Sequence, residues 1–302
     1  MRRRDFLLGG VKVSLSFLAL DALGSPIFGQ LAGAARRGRM PHDWINIASP
    51  PHLDDSLDVV AAYLVQYGPP EENFPVSGAW KATYDLIEWD GTTNVPGVKF
   101  SRRNRVIGHL VVTRRPGSAG TGVGYDLDYD ITINAFKSTL KSIMHCSADR
   151  LPGLTDWQTD YEKHPLKGVG TTMKLREQGR VMHGMLEIVS GAGARRFQTD
   201  RPVAPQWCVL DALRGATVDP YDPVTEVEFD LLHDLTSYRP HQRLKPCGVL
   251  DISLDGKSHT LHGFIQTGLG TEPTHYWVDS KGRPLLVTGG LLSSAMISIQ
   301  EV

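Results

Sequence analysis

Gly124-Tyr125-Asp126-Leu127-Asp128-Tyr129-Asp130-Ile131-Thr132-Ile133-Asn134-Ala135 alternates in polarity along most of its length. Tyr125, Leu127, Tyr129, Ile131 and Ile133 fall on one parity, and Asp126, Asp128, Asp130 and Thr132 on the other. A period of two places those sets on opposite faces of a strand, one toward a core and one toward water. Ser138 to Ser147 continues as its neighbour, so the two segments read as a long antiparallel pair.

The same pattern spreads outward from this pair. Upstream, Trp80, Ala82, Tyr84 and Leu86 alternate with Lys81, Thr83 and Asp85. The turn Asp90-Gly91 follows, then a run from Val106 to Thr113. Downstream, Thr171–Arg176 and Arg180–Val189 read as strands joined across Gln178-Gly179. Closing strands are expected at Gly248–Leu254, Ser258–Thr267, His275–Asp279, Pro284–Thr288 and Ala295–Ile299. Asp255-Gly256 and Ser280-Lys281-Gly282 supply turns between them. The 31 Gly and 19 Pro of the chain fit many short strands.

Three segments carry a helical spacing. Asp54 to Tyr67 places Leu57, Val60, Ala61 and Leu64 on one face and stops at Gly68-Pro69-Pro70. Its β-branched residues leave a strand reading open. Pro205 to Arg214 begins with Pro in its first turn and ends at Gly215. Thr225 to Tyr238 opens with the capping-box spacing of Thr225 and Glu228, and Val227, Leu231, Leu235 and Tyr238 form its stripe. The fold class expected is therefore α+β. A large, curved, half-barrel-like antiparallel sheet carries two or three helices packed on one face.

The N-terminus reads as an address. Met1-Arg2-Arg3-Arg4-Asp5-Phe6-Leu7 has the paired arginines and Phe-Leu of a twin-arginine export signal. An apolar run from Val11 to about Phe28 follows, then Ala32-Gly33-Ala34, a small-residue cleavage site. Lys12, Asp21, Gly24 and Pro26 interrupt the run, which makes it a poor membrane-spanning helix. The expected organisation is a signal peptide over 1–34, an irregular lead-in over 35–53 and one β-rich α+β domain over 54–302. The export machinery is then an expected partner, the location is periplasmic or secreted, and the mature chain has no membrane span.

The chain has 32 Lys and Arg against 33 Asp and Glu. Removing the leader takes away four basic and two acidic side chains, leaving a small negative balance. That leaves no electrostatic footprint for nucleic acid or anionic lipid. The three cysteines, Cys146, Cys208 and Cys247, lie far apart in sequence. One bridge with one leftover thiol and three buried thiols are both open readings.

Tyr276-Trp277-Val278-Asp279-Ser280-Lys281-Gly282-Arg283 carries a resemblance to a known family. It is similar to the Tyr-x-Val-Asp-x-x-Gly-Arg-Leu hairpin of exported half-barrel proteins of the lipoprotein-carrier type, with Pro284 in place of the last Leu. The resemblance implies a strongly curved sheet wrapped around helices, with an apolar cavity that holds acyl chains in the true carriers. Tyr276, Val278, Asp279, Gly282 and Arg283 match as hairpin residues, and no functional residue is implied.

Candidate chemistry is sparse. Asp126, Asp128 and Asp130 have the spacing that opens a calcium loop, but Ile131 and Lys137 stand where Gly and Glu are needed. The triplet reads as a solvated outer face beside Lys141. His259 and His262 sit three apart on a strand and so face opposite ways, and His145-Cys146 has the same defect. His233 and His241 flank an expected helix end. No metal or other cofactor is expected. Ser77, Ser190 and Ser258 lack a base and an oxyanion setting, and Cys208 sits in an apolar helix. Trp80, Tyr84, Trp89, Tyr125, Tyr129, Trp157, Trp207, Tyr276 and Trp277 fill a core or line a groove.

Three functions are compatible with these readings. One is a non-enzymatic exported protein binding an apolar or amphipathic ligand in a concave sheet. Another is an envelope or extracellular hydrolase acting on polysaccharide or ester. A third is a structural or interaction module of the cell envelope. Convergence of two or three of His109, His145, His183, His259, His262 and His275 on carboxylates separates the enzyme from the others.

Overall fold

The computed structural model describes residues 60, 63–64, 67–69, 78–89, 104–117, 122–133, 136–166, 170–216, 226–254, 257–289 and 292–302. The leader and the lead-in lie outside the described residues. So do Ser77, the turns Asp90-Gly91 and Asp255-Gly256, and the Trp89 side chain.

Among the described residues fifteen strands form one sheet. The first eight are β1 (Trp80–Trp89), β2 (Asn104–Pro116), β3 (Val123–Ile133), β4 (Phe136–Cys146), β5 (Leu154–Pro165), β6 (Met173–Met182), β7 (Met185–Ser190) and β8 (Gly193–Gln198). The rest are β9 (Val203–Pro205), β10 (Val227–His233), β11 (Ser237–Leu254), β12 (Lys257–Gly268), β13 (Thr271–Asp279), β14 (Pro284–Gly289) and β15 (Leu292–Glu301). Their spatial order is β8-β7-β6-β5-β4-β3-β2-β1-β15-β14-β13-β12-β11-β10-β9. Every neighbouring pair is antiparallel except β9 with β10. The sheet coils until β9 lies against β5, which gives a barrel-like body with β6, β7 and β8 continuing past the seam.

The expectation of an α+β fold is overturned. The described residues are almost all strand, with one complete helix, α1 (Gln206–Ala212). The largest error falls at residues 225–238. Thr225 lies outside the described residues, and the remainder form β10, a tight turn and the start of β11. Phe229, Asp230, Leu231 and Leu232 are all buried, so both faces of β10 are covered and a helical stripe has no meaning there. Asp230 is satisfied by strand partners: Tyr238 Oη donates to Oδ2 at 2.7 Å and the His241 N–H to Oδ1 at 3.0 Å. In the three-residue connection between the paired His233 and Ser237, Asp234 (φ 49°) and Leu235 (φ 58°) are both left-handed, the signs of a primed β-turn, and the Thr236 N–H donates to the His233 carbonyl at 3.1 Å. Leu235 is fully buried, and that burial offsets the backbone cost of a non-glycine there.

Where helix was expected elsewhere, the described residues agree. Val60, Tyr63 and Leu64 are helical and buried, and Tyr63 Oη donates to the Met296 carbonyl at 3.2 Å. Helix α1 begins after Pro205 (φ −68°, ψ 153°). Its Trp207, Cys208, Val209, Leu210 and Asp211 are buried. A seven-residue helix this apolar is stable because it is packed, not from its own hydrogen bonds. It ends at Leu213, and Gly215 (φ 73°) turns the chain away. The Gly215 N–H donates to the Gly282 carbonyl at 2.8 Å, so the exit from α1 docks on the β13–β14 turn.

The strand pair that decided the sheet behaves as read. In β3 and β4, Tyr125 pairs with Met144, Leu127 with Ser142 and Tyr129 with Leu140. The register carries inward rows across neighbouring strands. One row runs Tyr84, Leu110, Tyr129, Leu140, Tyr161, Leu175. The next but one runs Arg114, Tyr125, Met144, Trp157, Gly179, Ile188. Gly179 is therefore mid-strand, and the expected turn at Gln178-Gly179 is wrong. β6 runs straight through it and turns at His183-Gly184 instead. The glycine is needed for space: a Cβ there would overlap the Trp157 indole and the Glu187 carbonyl.

The β13–β14 hairpin has its own buried charge. Asp279 Oδ1 accepts the N–H groups of Lys281 (3.1 Å) and Arg283 (2.8 Å). Its Oδ2 accepts Arg283 Nε at 2.8 Å and Nη2 at 2.6 Å. Arg283 is 2% exposed. One carboxylate thus closes a turn and neutralises a fully desolvated guanidinium.

Candidate ligand-binding site

The sheet and α1 bring three chain segments together at one mouth of the barrel. β2 ends there with Arg114, β3 begins with Val123, and β4 hands over to β5 through residues 147–153. The last turn of α1 and its exit, Asp211 to Ala216, form the remaining wall. Between them lies a cleft of about 310 Å³ lined by Arg114, Val123, Asp149, Arg150, Asp211 and Arg214 among others.

Asp211 organises this cleft from below. Its Oδ2 accepts a hydrogen bond from Tyr125 Oη at 2.5 Å and from Arg114 Nε at 2.8 Å. Arg114 also donates to the Gly78 carbonyl at 2.5 Å. Arg214 Nε lies 3.3 Å from Asp211 Oδ1, but Oδ1 accepts no hydrogen bond and is buried. A buried carboxylate oxygen without a donor is costly. Asp211 itself is one of the residues that line the cleft. Burial, then the charges of Cys208 and Asp211, push the Tyr125 hydroxyl far above its ordinary value, so it stays a donor. Burial also pulls the Arg214 guanidinium down, with the Arg114 charge acting the same way against Asp211.

Arg150 differs from the other two arginines. It is exposed on the rim and makes no hydrogen bond or ion pair among the described residues. Among the described lining residues three arginines face two aspartates, a positive balance. Guanidinium groups recognise carboxylate and phosphate through parallel N–H donors. The unsatisfied Oδ1 of Asp211 would accept a hydroxyl or ammonium from the same molecule.

The residues singled out from the sequence are mostly dispersed elsewhere. Asp126 pairs with Arg115, and Asp128 lies 3.6 Å from Lys141, both on the outer face. Asp130 stands opposite His109 on that face. His109 Nδ1 is 2.9 Å from Asp85 Oδ1, and Tyr67 Oη donates to Asp85 Oδ2 at 3.0 Å. Among the described residues no serine, threonine or cysteine side chain hydrogen-bonds to that dyad. His145 is 2.6 Å from Asp156 on the surface. His183 occupies the β6–β7 turn. His233 pairs with Asp234, and His241 contacts Arg201. His259 and His262 face opposite ways on β12, and burial pulls His262 down. His275 stacks on Trp277. Among the described residues no three His, Cys, Asp or Glu side chains converge as a metal site would need.

Ser190 closes the β7–β8 turn, where its hydroxyl accepts the Ala192 N–H, and Ser258 pairs across to Ser253. The aromatics Trp80, Tyr84, Tyr125, Trp157, Trp207, Tyr276 and Trp277 are buried in the core, and Tyr129 packs against it. Cys208 is wholly buried beside Cys146.

Sequence reasoning missed the cleft entirely. Arg114, Arg150, Asp211 and Arg214 share no motif, and only the curl of the sheet joins them. One faint signal existed: Asp211 is the one charged residue of a seven-residue helix that is apolar from Trp207 to Leu210.

No protein-family profile matches the chain, and a search of curated proteins returns no match. Among solved structures, the beta-barrel-like protein of a domain of unknown function (DUF1849) from Brucella abortus is similar over 74% of this chain and 98% of that one. The two share 11% sequence identity with a TM-score of 0.47.

Proposed function

We propose that this chain is an exported, non-enzymatic binding protein whose mouth cleft takes a small polar solute bearing one anionic group. The observation that carries the reading is Arg150, a cation with no partner among the described residues, set beside Arg114 and Arg214 over the buried Asp211. A ligand carboxylate or phosphate would sit between Arg150 and Arg214. A neighbouring hydroxyl or ammonium would satisfy Asp211 Oδ1. Among the described lining residues no histidine, serine or cysteine stands as base or nucleophile, which favours binding over hydrolysis.

The carriers that the Tyr276–Arg283 hairpin resembles hold acyl chains on an open concave face. Here Tyr84, Leu110, Tyr125, Leu140 and Met144 on that face are all buried, and Tyr125 and Cys146 meet α1 directly. That favours a polar ligand at the rim over an apolar one inside.

Isothermal titration with inorganic phosphate, acetate, a sugar phosphate and a sugar acid tests the site, with a fluorescent fatty acid as the apolar comparison. At least one anion is expected to bind, and Arg150→Ala is expected to weaken it about tenfold, the worth of one charge-assisted hydrogen bond of about 1.5 kcal/mol. Arg150 is exposed, so the variant keeps the fold. Fatty-acid binding with no anion binding overturns the proposal, as does an Arg150→Ala protein with unchanged affinity. Export is tested separately. Changing both Arg3 and Arg4 to Lys is expected to hold the protein in the cytoplasm of a bacterium with a twin-arginine pathway, and fractionation with immunoblotting reads the result. Unchanged export argues against that route.

A further inference from the structure

Cys146 and Cys208 lie 62 residues apart in sequence, yet their sulfurs are 3.7 Å apart in the buried core. No disulfide joins them in this structure. Cys146 is the last residue of β4, where the pairing with β5 bulges. Cys208 is the third residue of α1. We propose that these two thiols are a disulfide-forming pair that staples α1 to the end of β4.

The geometry favours a bond over simple packing. The sulfurs already meet at contact distance, so forming the bond asks for an approach of less than 2 Å by two side chains. Both residues sit where such a shift is available: one at a strand end beside a bulge, the other in a short helix held by packing. Tyr125 fixes their surroundings, because its hydroxyl holds Asp211 one turn beyond Cys208. The bridge would join the two walls of the cleft. Cys146 leads into the 147–153 segment that carries Asp149 and Arg150, and Cys208 precedes Asp211 and Arg214. It stands whether or not the cleft binds an anion.

The oxidant is a small disulfide or a protein dithiol oxidant. The Cys146 thiolate attacks one sulfur of that disulfide, forming a mixed disulfide and expelling one oxidant thiolate. The Cys208 thiolate then attacks the Cys146 sulfur and expels the second. Two protons leave the protein and two electrons pass to the oxidant. In the folded state burial and the neighbouring Cys146 push the Cys208 thiol well above its ordinary value. Exchange therefore happens when α1 lifts or before it docks. Cys247 is also held as a thiol, pushed up to about 12 by burial, and it is distant in the fold, on β11 beside Gly263.

The test refolds the full chain from urea in a glutathione redox buffer, quenches with acid, and alkylates under denaturing conditions. Intact mass is expected to show one label per chain, and peptide mapping a 146–208 crosslink with the label at Cys247. The oxidised protein is expected to melt about 5–15 °C above its reduced form. The Cys146→Ser, Cys208→Ser double variant should lose that difference while keeping its circular dichroism spectrum. Three labels per chain, or a bridge that includes Cys247, overturns the proposal. So does a melting temperature that reduction leaves unchanged.

Discussion

Arg283→Ala is expected to destabilise the protein by about 3–5 kcal/mol, the cost of leaving a buried charge without its partner. Asp279 would keep two backbone donors, from Lys281 and Arg283 itself, but its Oδ2 would lose both guanidinium bonds. Lysine cannot restore them. It offers a point charge where the site uses two N–H groups in a fixed fork, so Arg283→Lys should recover less than half the loss. The removal of both charges is the informative control. An Asp279→Asn, Arg283→Met double variant should be more stable than Arg283→Ala alone, because neither charge is then stranded. Urea unfolding followed by tryptophan fluorescence measures all three. If Arg283→Ala costs less than about 1 kcal/mol, the pair is not desolvated as described.

Gly179→Ala should destabilise the protein at the upper end of the roughly 1–3 kcal/mol that overpacking costs. The added methyl meets the Trp157 ring on one side and the Glu187 backbone carbonyl on the other. The ring could rotate away only by abandoning its place on the inward row. The carbonyl belongs to the β6–β7 ladder and cannot move without breaking it. The double-mutant cycle with Trp157→Ala separates these contributions. Trp157→Ala alone costs about 3–5 kcal/mol. The double variant should fall short of the sum, because the indole is no longer there to clash, while the carbonyl contribution remains. Strict additivity would mean that the indole does not cover the glycine.

The sheet was legible where one face meets the core and the other meets water. β1, β2, β3 and β4 were read as strands from their alternation, and β12 to β15 from the glycines between them, whereas β11 (Ser237–Leu254) was read only from Gly248 onward. β10 was illegible for the opposite reason. With Phe229, Asp230, Leu231 and Leu232 all buried, nothing alternates, and the leucines and tyrosine at positions 231, 235 and 238 fit a helix by chance. The Gln178-Gly179 turn failed because a glycine admitted for an indole looks the same in sequence as one admitted for a turn. β5 escaped notice although it alternates buried Trp157, Thr159 and Tyr161 with exposed partners, since its inward face is partly polar. The cleft residues come from four separate segments and could be found only after the sheet had curled.

The strand order has a consequence for how the chain must be made. Two meanders run outward from the middle of the sheet, one from β1 to β8 and the other from β15 back to β10. They join where Trp80 meets Glu301. β1 is synthesised more than two hundred residues before its partner. Its open side, which β15 later covers, therefore waits until β15 leaves the ribosome. During that interval a row of unpaired N–H and C=O groups lies beside Ala82, Tyr84 and Leu86, a ready template for another chain. The loop closed by this pairing is the longest in the sheet, so it carries the largest entropic cost and falls late in folding. The join hides this edge at the centre of the finished sheet, and β15 decides whether it is hidden in time.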